Sequence, residues 1–449
     1  MSLIASDQLT IVIGLGKTGL SCARYLQRKG IRFAIADTRE NPPSIDLVRE
    51  EFADVDIRLG ALDAAFLSSA SEIVLSPGVA QSTPAIVAAI ENGVQLIGDI
   101  DLFCREVNAP IIAITGSNAK STVTTLVGAM AETAGLSVGV GGNLGTPVLE
   151  MLSEGEKQLY VLELSSFQLE TTHDLRAEVA TVLNISPDHM DRYPDMQSYY
   201  RAKHRVYRGC KFAVENKDDP LTHPLLPMGM KPWGFRLGAP DFRVFGLREE
   251  AGIEYLALAQ DNLMPVSDIR MPGRHNVANA LAALALGHLV HIPMDAMLAT
   301  LRTFGGLEHR CQWVAEKAGL TFYNDSKGTN VGATVAALDG LGPDLAEGQR
   351  IVLIAGGDGK GAAFNDLLAP VTRYVRHLVL IGQDASAIQS TLSDCPSDIT
   401  NTLEQAVELA VSKAQEGDLV LLSPACASID MFKNYVERGN VFVAAVEAL

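Results

Sequence analysis

Short runs of consecutive apolar residues alternate along this chain with longer segments whose apolar positions recur every three to four residues. TIVIG (10–14), FAIAD (33–37) and EIVLS (72–76) read as strands in the first third. IIAIT (111–115), YVLEL (160–164), ATVLNI (180–185) and KFAVEN (211–216) follow in the middle. TFYND (321–325), IVLIAGG (351–357), HLVLIG (377–382) and LVLLSP (419–424) complete the series. A strand that is apolar at successive positions is buried on both faces. With helices between such strands, the pattern predicts parallel sheets covered on both sides, an α/β fold. Ligands in such sheets bind beyond the carboxyl ends of the strands. Nearly every run here ends in Gly, Asp, Asn, Ser or Glu, so the chemistry is expected on strand-end loops.

Breaks in the pattern before GDIDLFCREVNAP and after FGGLEHR divide the chain into 1–98, 99–306 and 307–449. Residues 217–272 are rich in Pro and Gly and are expected to form loops and short strands. The longest apolar run, ALAALALGHLV (280–290), is shorter than the ~18 residues a membrane span needs and contains His288, so it predicts a buried helix. The N-terminal MSLIASDQLTIVIG has neither the basic start nor the cleavage site of a signal peptide.

Charge and cysteine content narrow the function further. The net charge is −17, which disfavours nucleic acid and anionic membrane as partners. If the substrates are anionic, the few cations must be gathered locally. Six cysteines (22, 104, 210, 311, 395 and 426) lie far apart with no CxxC, which suits free thiols in the cytoplasm rather than a disulfide framework or a zinc site.

Two glycine-bearing turns carry the first chemistry. Gly14, Gly16 and Gly19 lie between a strand and a helix, and Asp37 ends the next strand. This is a dinucleotide fingerprint in its proper context. Arg39 and the turn LSPGV (75–79) make a nucleotide-sugar diphosphate as good a ligand as NAD. The second turn, ITGSNAKST (114–122), follows a strand and opens a helix. Backbone N–H groups and a helix N-terminus would cradle phosphates, Lys120 would reach the β- and γ-phosphates, and Ser121 or Thr122 would offer a hydroxyl to Mg²⁺. The pattern GxxxxGK[ST] is not met, because Ile114 and Ala119 occupy its glycine positions. By pattern alone, an ATP site and an ordinary strand-to-helix turn both remain open.

Further along, alternation places Glu163 on the strand face opposite Leu162 and Leu164, either as a metal ligand or as an exposed edge residue. NISPDHMDRY clusters Asn184, Asp188, His189 and Asp191, which suits a divalent cation or proton transfer.

Taken together and in order, ITGSN followed by KST, VGVGGNLGTPV, LELSSFQLE, PDHMDRY, GRHNVANALAAL, GLEHR, NDSKGTNVGAT, GGDGK and LLSPACASID resemble the Mur ligases of bacterial cell-wall synthesis. The resemblance covers essentially the whole chain. It implies three domains: a Rossmann-like one binding the UDP of the substrate, a central P-loop-type ATPase domain with a mostly parallel sheet, and a C-terminal Rossmann-like α/β domain holding an amino acid. The implied reaction joins D-glutamate to UDP-N-acetylmuramoyl-L-alanine. ATP phosphorylates the substrate carboxylate, and the amine displaces phosphate from the acyl phosphate.

By the same resemblance Lys17, Thr18, Thr38, Arg39, Gly78 and Asn143 match substrate-binding positions. Gly116, Ser117, Asn118, Ala119, Lys120, Ser121 and Thr122 match the ATP loop, with Asn276, Arg310 and Asp325 as further ATP contacts. Glu163 and His189, with Ser121, match Mg²⁺ positions, and two ions are implied. Lys203 matches a lysine carried as a carbamate, a group that would help hold the second ion. Burial would lower the pKa of such a lysine and free its amine for CO₂. Lys327, Thr329, Lys360, Ser428 and Tyr435 match positions around D-glutamate and the transferring phosphate. Tyr435 stands where phenylalanine is expected.

The implied catalytic set is Lys120, Glu163, His189, Lys203 and Lys360. A monomer that is open without ligands and closes over them is expected. At Ala119 a right-handed backbone is expected, since every other part of the ATP site is present. Three other readings compete: a relative adding a different amino acid, an NAD-dependent dehydrogenase, and a non-catalytic nucleotide sensor.

Overall fold

A computed structural model describes residues 8–449. Residues 1–7, the start of the N-terminal segment without a signal-peptide pattern, lie outside the described residues. The first sheet has the order β3-β2-β1-β4-β5 and is parallel throughout. Its strands are β1 (Thr10–Ile13), β2 (Phe33–Asp37), β3 (Ile57–Leu59), β4 (Glu72–Leu75) and β5 (Gln95–Ile97).

The second sheet contains β6 (Ile111–Thr115), β7 (Val138–Gly142), β8 (Leu159–Glu163), β9 (Val179–Val182), β10 (Phe212–Asn216), β11 (Trp233–Phe235), β12 (Val244–Glu250), β13 (Ile253–Leu258) and β14 (Asp261–Pro265). Its order is β14-β13-β12-β11-β10-β9-β6-β8-β7, and only β13 runs antiparallel to its neighbours. The stretch expected to hold short strands supplies β11 to β14.

The third sheet contains β15 (Gln312–Lys317), β16 (Leu320–Asn324), β17 (Ile351–Gly356), β18 (Val375–Ile381), β19 (Ser397–Ile399) and β20 (Leu419–Leu422). Its order is β15-β16-β20-β17-β18-β19, parallel except for β15.

All eleven apolar runs form strands, and the central ones are buried on both faces, as in β1, β6, β8 and β17. Apolar side chains above and below each sheet meet helices, and this burial is the main favourable term in folding. The run at 280–290 lies in the helix Arg274–Leu289, whose residues Ala280–Gly287 are all buried between the second sheet and the helix Lys120–Thr133. Among the described residues no helix is long and apolar enough to cross a membrane. Because the strands are parallel, β1, β2 and β4 deliver their loops to one edge. The same holds for β6, β8 and β9, and for β16, β17 and β20.

Candidate functional site

The first glycine turn forms where β1 meets the helix Lys17–Arg28. Gly14 has φ 95°, and a Cβ on Gly19 would stand 1.8 Å from the Gly14 carbonyl oxygen, so the helix closes on the turn only because both are glycine. Asp37 accepts hydrogen bonds from the Leu15 N–H at 2.6 Å and from Arg39 Nε and Nη2 at 2.9 and 2.8 Å. Burial alone would raise its pKa, but these donors leave it below the usual carboxylate value. The acid that a dinucleotide site would present to a ribose is therefore already engaged. Lys17, Thr18, Thr38, Arg39 and Gly78 line a cavity of ≈ 440 Å³, which is also lined by Asn143, after β7, and by Gln168 of the short helix Ser166–Glu170 that follows β8.

The second turn leaves β6 at Gly116. The Ser117 N–H donates to the Asn184 carbonyl at 2.9 Å, and the Asn118 N–H to Asn184 Oδ1 at 2.8 Å. Ser117 Oγ is bonded to Ser186 O and Tyr199. The loop is thus held by its neighbour after β9. Ala119 caps the helix Lys120–Thr133 with φ 65° and ψ −5°, and no side chain caps that helix. The right-handed backbone expected at Ala119 is not what forms: the turn that aims the helix N-terminus at the cleft requires the left-handed conformation. Glycine adopts it freely, whereas alanine pays roughly 1–2 kcal/mol.

Lys120 Nζ donates to the Gly116 and Ser117 carbonyls at 2.8 and 2.9 Å. Lys203 Nζ donates to the same Gly116 carbonyl at 2.7 Å and lies 4.5 Å from the centre of the Tyr199 ring. A part-buried and a buried lysine amine thus share one acceptor. Burial first, and Lys120 second, push the Lys203 pKa well below the usual lysine value. Burial also lowers Lys120, offset in part by Glu163 and Asp188.

Glu163 ends β8 and is 2% exposed, which removes the reading of it as a surface edge residue. Its Oε1 accepts from Asn143 at 2.7 Å, while its Oε2 is buried with no hydrogen-bond partner. A charged oxygen in that state is costly unless a cation meets it. Among the described residues no three His, Cys, Asp or Glu side chains cluster to hold a metal by themselves. Mg²⁺, however, takes one or two carboxylates and completes its shell with phosphate oxygens and water. The residues present fit it. His189, at φ 58°, packs on Phe167 with ring centres 4.9 Å apart. Burial lowers its pKa, partly countered by Asp188, which favours the neutral imidazole a metal needs.

The third sheet's loops reach into the same space. Arg310 Nη2 donates to Ser121 Oγ at 2.7 Å, and Lys360 Nζ to Asp188 Oδ1 at 3.1 Å. Asn330 Nδ2 donates to Asn118 Oδ1 and Asp188 Oδ2 at 3.2 and 3.3 Å. The form observed has these loops in contact across the cleft, which makes it a closed one. Opposite charges and complementary amides on the two sides of the cleft hold it shut. Burial would raise the Asp188 pKa, but Lys360 and His189 bring it below the usual value.

One cavity of ≈ 250 Å³ is lined by Lys120, Ser121, Glu163, His189, Lys203, Arg310, Lys327, Thr329 and Lys360, with Asn143 at the boundary with the first cavity. A neighbouring cavity of ≈ 180 Å³ shares Asn118, Ala119, Arg310 and Lys327 and adds Thr122, Asn276 and Asp325. Asp325 is buried, accepts from Ser423 Oγ at 2.7 Å, and burial pushes its pKa up to about 7. Lys327 Nζ sits 3.9 Å from the Tyr435 ring centre. Ser428 and Tyr435 stand outside the lining of these cavities. Asn330 and Arg438 were not assigned site roles from the sequence, whereas Asn184 and Asp188 were read there only as part of a cluster suited to a divalent cation or proton transfer. Asn184 and Asp188 belong to a polar cluster with a visible signal. Nothing in the sequence pattern alone shows that Asn330 crosses the cleft or that Arg438 is buried.

Three family descriptions match in chain order: Mur ligase MurD-like, N-terminal domain, over residues 8–98; Mur ligase middle domain over 114–287; and Mur ligase, glutamate ligase domain, over 309–426. The chain is 58% identical to the UDP-N-acetylmuramoylalanine–D-glutamate ligase of Pseudomonas syringae pv. tomato, and 59% identical to that of Pseudomonas syringae pv. syringae, each over 100% of both chains. A pseudomurein peptide ligase type C from Methanothermus fervidus shares the fold with TM-score 0.61 at 17% identity, over 98% of this chain and 100% of that one. With its three sheets presenting strand-end loops to one run of cavities, and with relatives matching from end to end, the chain belongs to the Mur ligase family.

Proposed function

We infer that this protein joins D-glutamate to UDP-N-acetylmuramoyl-L-alanine in an ATP-dependent reaction that releases ADP and phosphate. The observation that carries this reading is the central cavity. It gathers Lys120, Arg310, Lys327 and Lys360 around Glu163, and it meets the Gly14 turn's cavity at Asn143 and the Asn276 cavity at Arg310. An acidic chain that collects its cations in one cleft is suited to bring two anions, a carboxylate and a triphosphate, together.

The UDP moiety binds at Lys17, Thr18, Thr38, Arg39 and Gly78. Its carboxylate end passes Asn143 into the central cavity. The adenosine lies against Asn276 and Asp325, with its phosphates over residues 116–122. Lys120 and Arg310 steady the charge that spreads over the transferred phosphoryl group. Ser121, Glu163 and His189 would hold Mg²⁺, which when bound neutralises phosphate charge and fixes its orientation. D-Glutamate, a dianion with one amine, binds between Lys327, Thr329, Ser428 and Lys360. Closure keeps water from the acyl phosphate. The neutral Lys203 amine adds CO₂, forming an N–C bond and losing one proton. The resulting carbamate is an anion that would offset Lys120 and would help hold a second Mg²⁺. In this reading a ¹³C carbamate signal appears with labelled bicarbonate and is lost in Lys203→Ala together with activity; full activity in that variant excludes it. One chain carries all the groups, so a monomer suffices. ATP and UDP-sugars place the work in the cytoplasm.

Phosphate release tests the reading directly. With ATP, Mg²⁺ and UDP-N-acetylmuramoyl-L-alanine, release should depend on D-glutamate. Equal release with other amino acids, or a nicotinamide absorbance change in place of phosphate, would refute it.

A further inference from the structure

Arg438, in the first turns of the helix Tyr435–Glu447, is 1% exposed, and its guanidinium has no carboxylate within ion-pairing distance among the described residues. Burying an unpaired cation is costly unless its donors are saturated. Here they are met by oxygens of two strand-end loops. Nε donates to Ser326 Oγ at 3.1 Å and Nη2 to Ser326 O at 2.8 Å, on the loop after β16. Nη2 also donates to Cys426 O at 3.1 Å and Nη1 to Ala427 O at 3.3 Å, on the loop after β20.

These anchors sit beside the groups that the proposed function places around the amino acid. Ser326 precedes Lys327, and its hydroxyl also donates to the Tyr435 carbonyl at 2.7 Å. Ala427 precedes Ser428 and exchanges backbone bonds with Asp358, two residues before Lys360. A single planar fork therefore ties two loops together from behind, and the third is joined to them by the Ala427–Asp358 pairing. A lysine, with one point of donation, cannot reproduce that geometry.

We propose that Arg438 is the positioning residue that sets the spacing of Lys327, Ser428 and Lys360, and so the affinity and stereochemical selectivity for the incoming amino acid. This rests on D-glutamate being that amino acid. The guanidinium touches no substrate; it acts through the loops.

Arg438→Lys keeps the charge and most of the volume, and Ser326→Ala removes one anchor with little change in bulk. Steady-state kinetics in each of the three substrates, with thermal unfolding of each variant, separates the possibilities. In Arg438→Lys the KM for D-glutamate should rise about tenfold or more, as expected when buried acceptors lose a donor. Discrimination against L-glutamate should fall, and KM for ATP and for the UDP substrate should change less than about twofold. Ser326→Ala should shift KM for D-glutamate in the same direction by less. An unchanged KM for D-glutamate in both variants overturns the proposal. So does a uniform loss across all three substrates that tracks a fall in unfolding temperature. If Arg438→Lys fails to fold, the Ser326→Ala pattern alone decides. If the unaltered enzyme turns over a different amino acid instead, the reading of D-glutamate fails separately, and KM for that amino acid takes its place in the comparison.

Discussion

At the scale of single residues, Ala119 is the most informative departure from a phosphate loop's usual sequence. Its left-handed backbone is held by the loop's own bonds to Asn184 and by the helix that follows. Strain that exists whether or not ATP is bound destabilises the fold, not the complex. Ala119→Gly should therefore raise unfolding stability by about 1 kcal/mol, the left-handed penalty less the unfolded-state freedom glycine adds. ATP affinity should change less than about twofold. Urea unfolding and a nucleotide titration check the two halves. Lys327 supplies the pH dependence. Burial first and Arg310 second lower its pKa to about 8, below the ordinary 10.5. Between those values the unfolded chain holds a proton the folded chain lacks, so this group's contribution to stability becomes less unfavourable as pH rises. Its cation, however, is lost above about pH 8. The kcat/KM for D-glutamate should fall there, while kcat, which reports the complex with the anion bound, should hold to higher pH. Lys327→Arg should move the fall upward.

Elements differ in how plainly the sequence announces them. Central strands such as β1, β6, β8 and β17 are buried at every position and appear as unbroken apolar runs. Outside the Pro- and Gly-rich stretch that supplies β11 to β14, the strands without such a signature are β3, β5, β7, β15 and β19, each at a sheet edge. The residues of β3 and β19 are part-buried or exposed, and β7 reads VGVGG, so neither continuity nor alternation marks them. Gly139 and Gly141 of β7 are small because Tyr160 and Met151 occupy the space their side chains would take. The site was legible wherever its groups sit at strand ends with a charged or glycine-rich signature, as at Lys120 and Glu163. It was illegible where a role exists only through tertiary contact, as with Asn330 and Arg438. The helix Lys120–Thr133 shows how packing sets the loop. A Cβ on Gly128 would lie 2.5 Å from Val140 Cγ2, so the helix touches β7 at that point. Gly128→Leu should cost roughly 1–3 kcal/mol of stability through overpacking. By lifting the helix it should also raise KM for ATP more than KM for the UDP substrate; equal effects on both would mean the helix does not shift.

For the molecule as a whole, the closed cleft is the state to explain. Loops of the third sheet meet those of the second through Lys360–Asp188, Asn330–Asn118 and Arg310–Ser121. Each of these bonds is individually weak at a partly wet interface. Closure also needs backbone proximity, and Gly332 provides it. A Cβ there would stand 2.7 Å from Ser186 Oγ and 3.0 Å from Ser186 Cβ, just behind the phosphate loop. Ser186 itself is bonded to Ser117, so it has little room to retreat. Gly332→Val therefore places a branched side chain between the second and third sheets, against Ser186 and within 3.4 Å of Asn118 Nδ2 at the phosphate loop. The second and third sheets should be wedged apart, giving a larger radius of gyration by X-ray scattering. D-glutamate-dependent phosphate release should fall by at least about tenfold, since a misplacement of even ~1 Å across a catalytic cleft costs on the order of a hundredfold. The cavity at Lys17, Thr38 and Gly78 lies away from Gly332, so affinity for the UDP substrate should stay within about twofold. Unchanged scattering with unchanged turnover would show that the cleft yields locally at Ser186, and that its closure does not depend on this glycine.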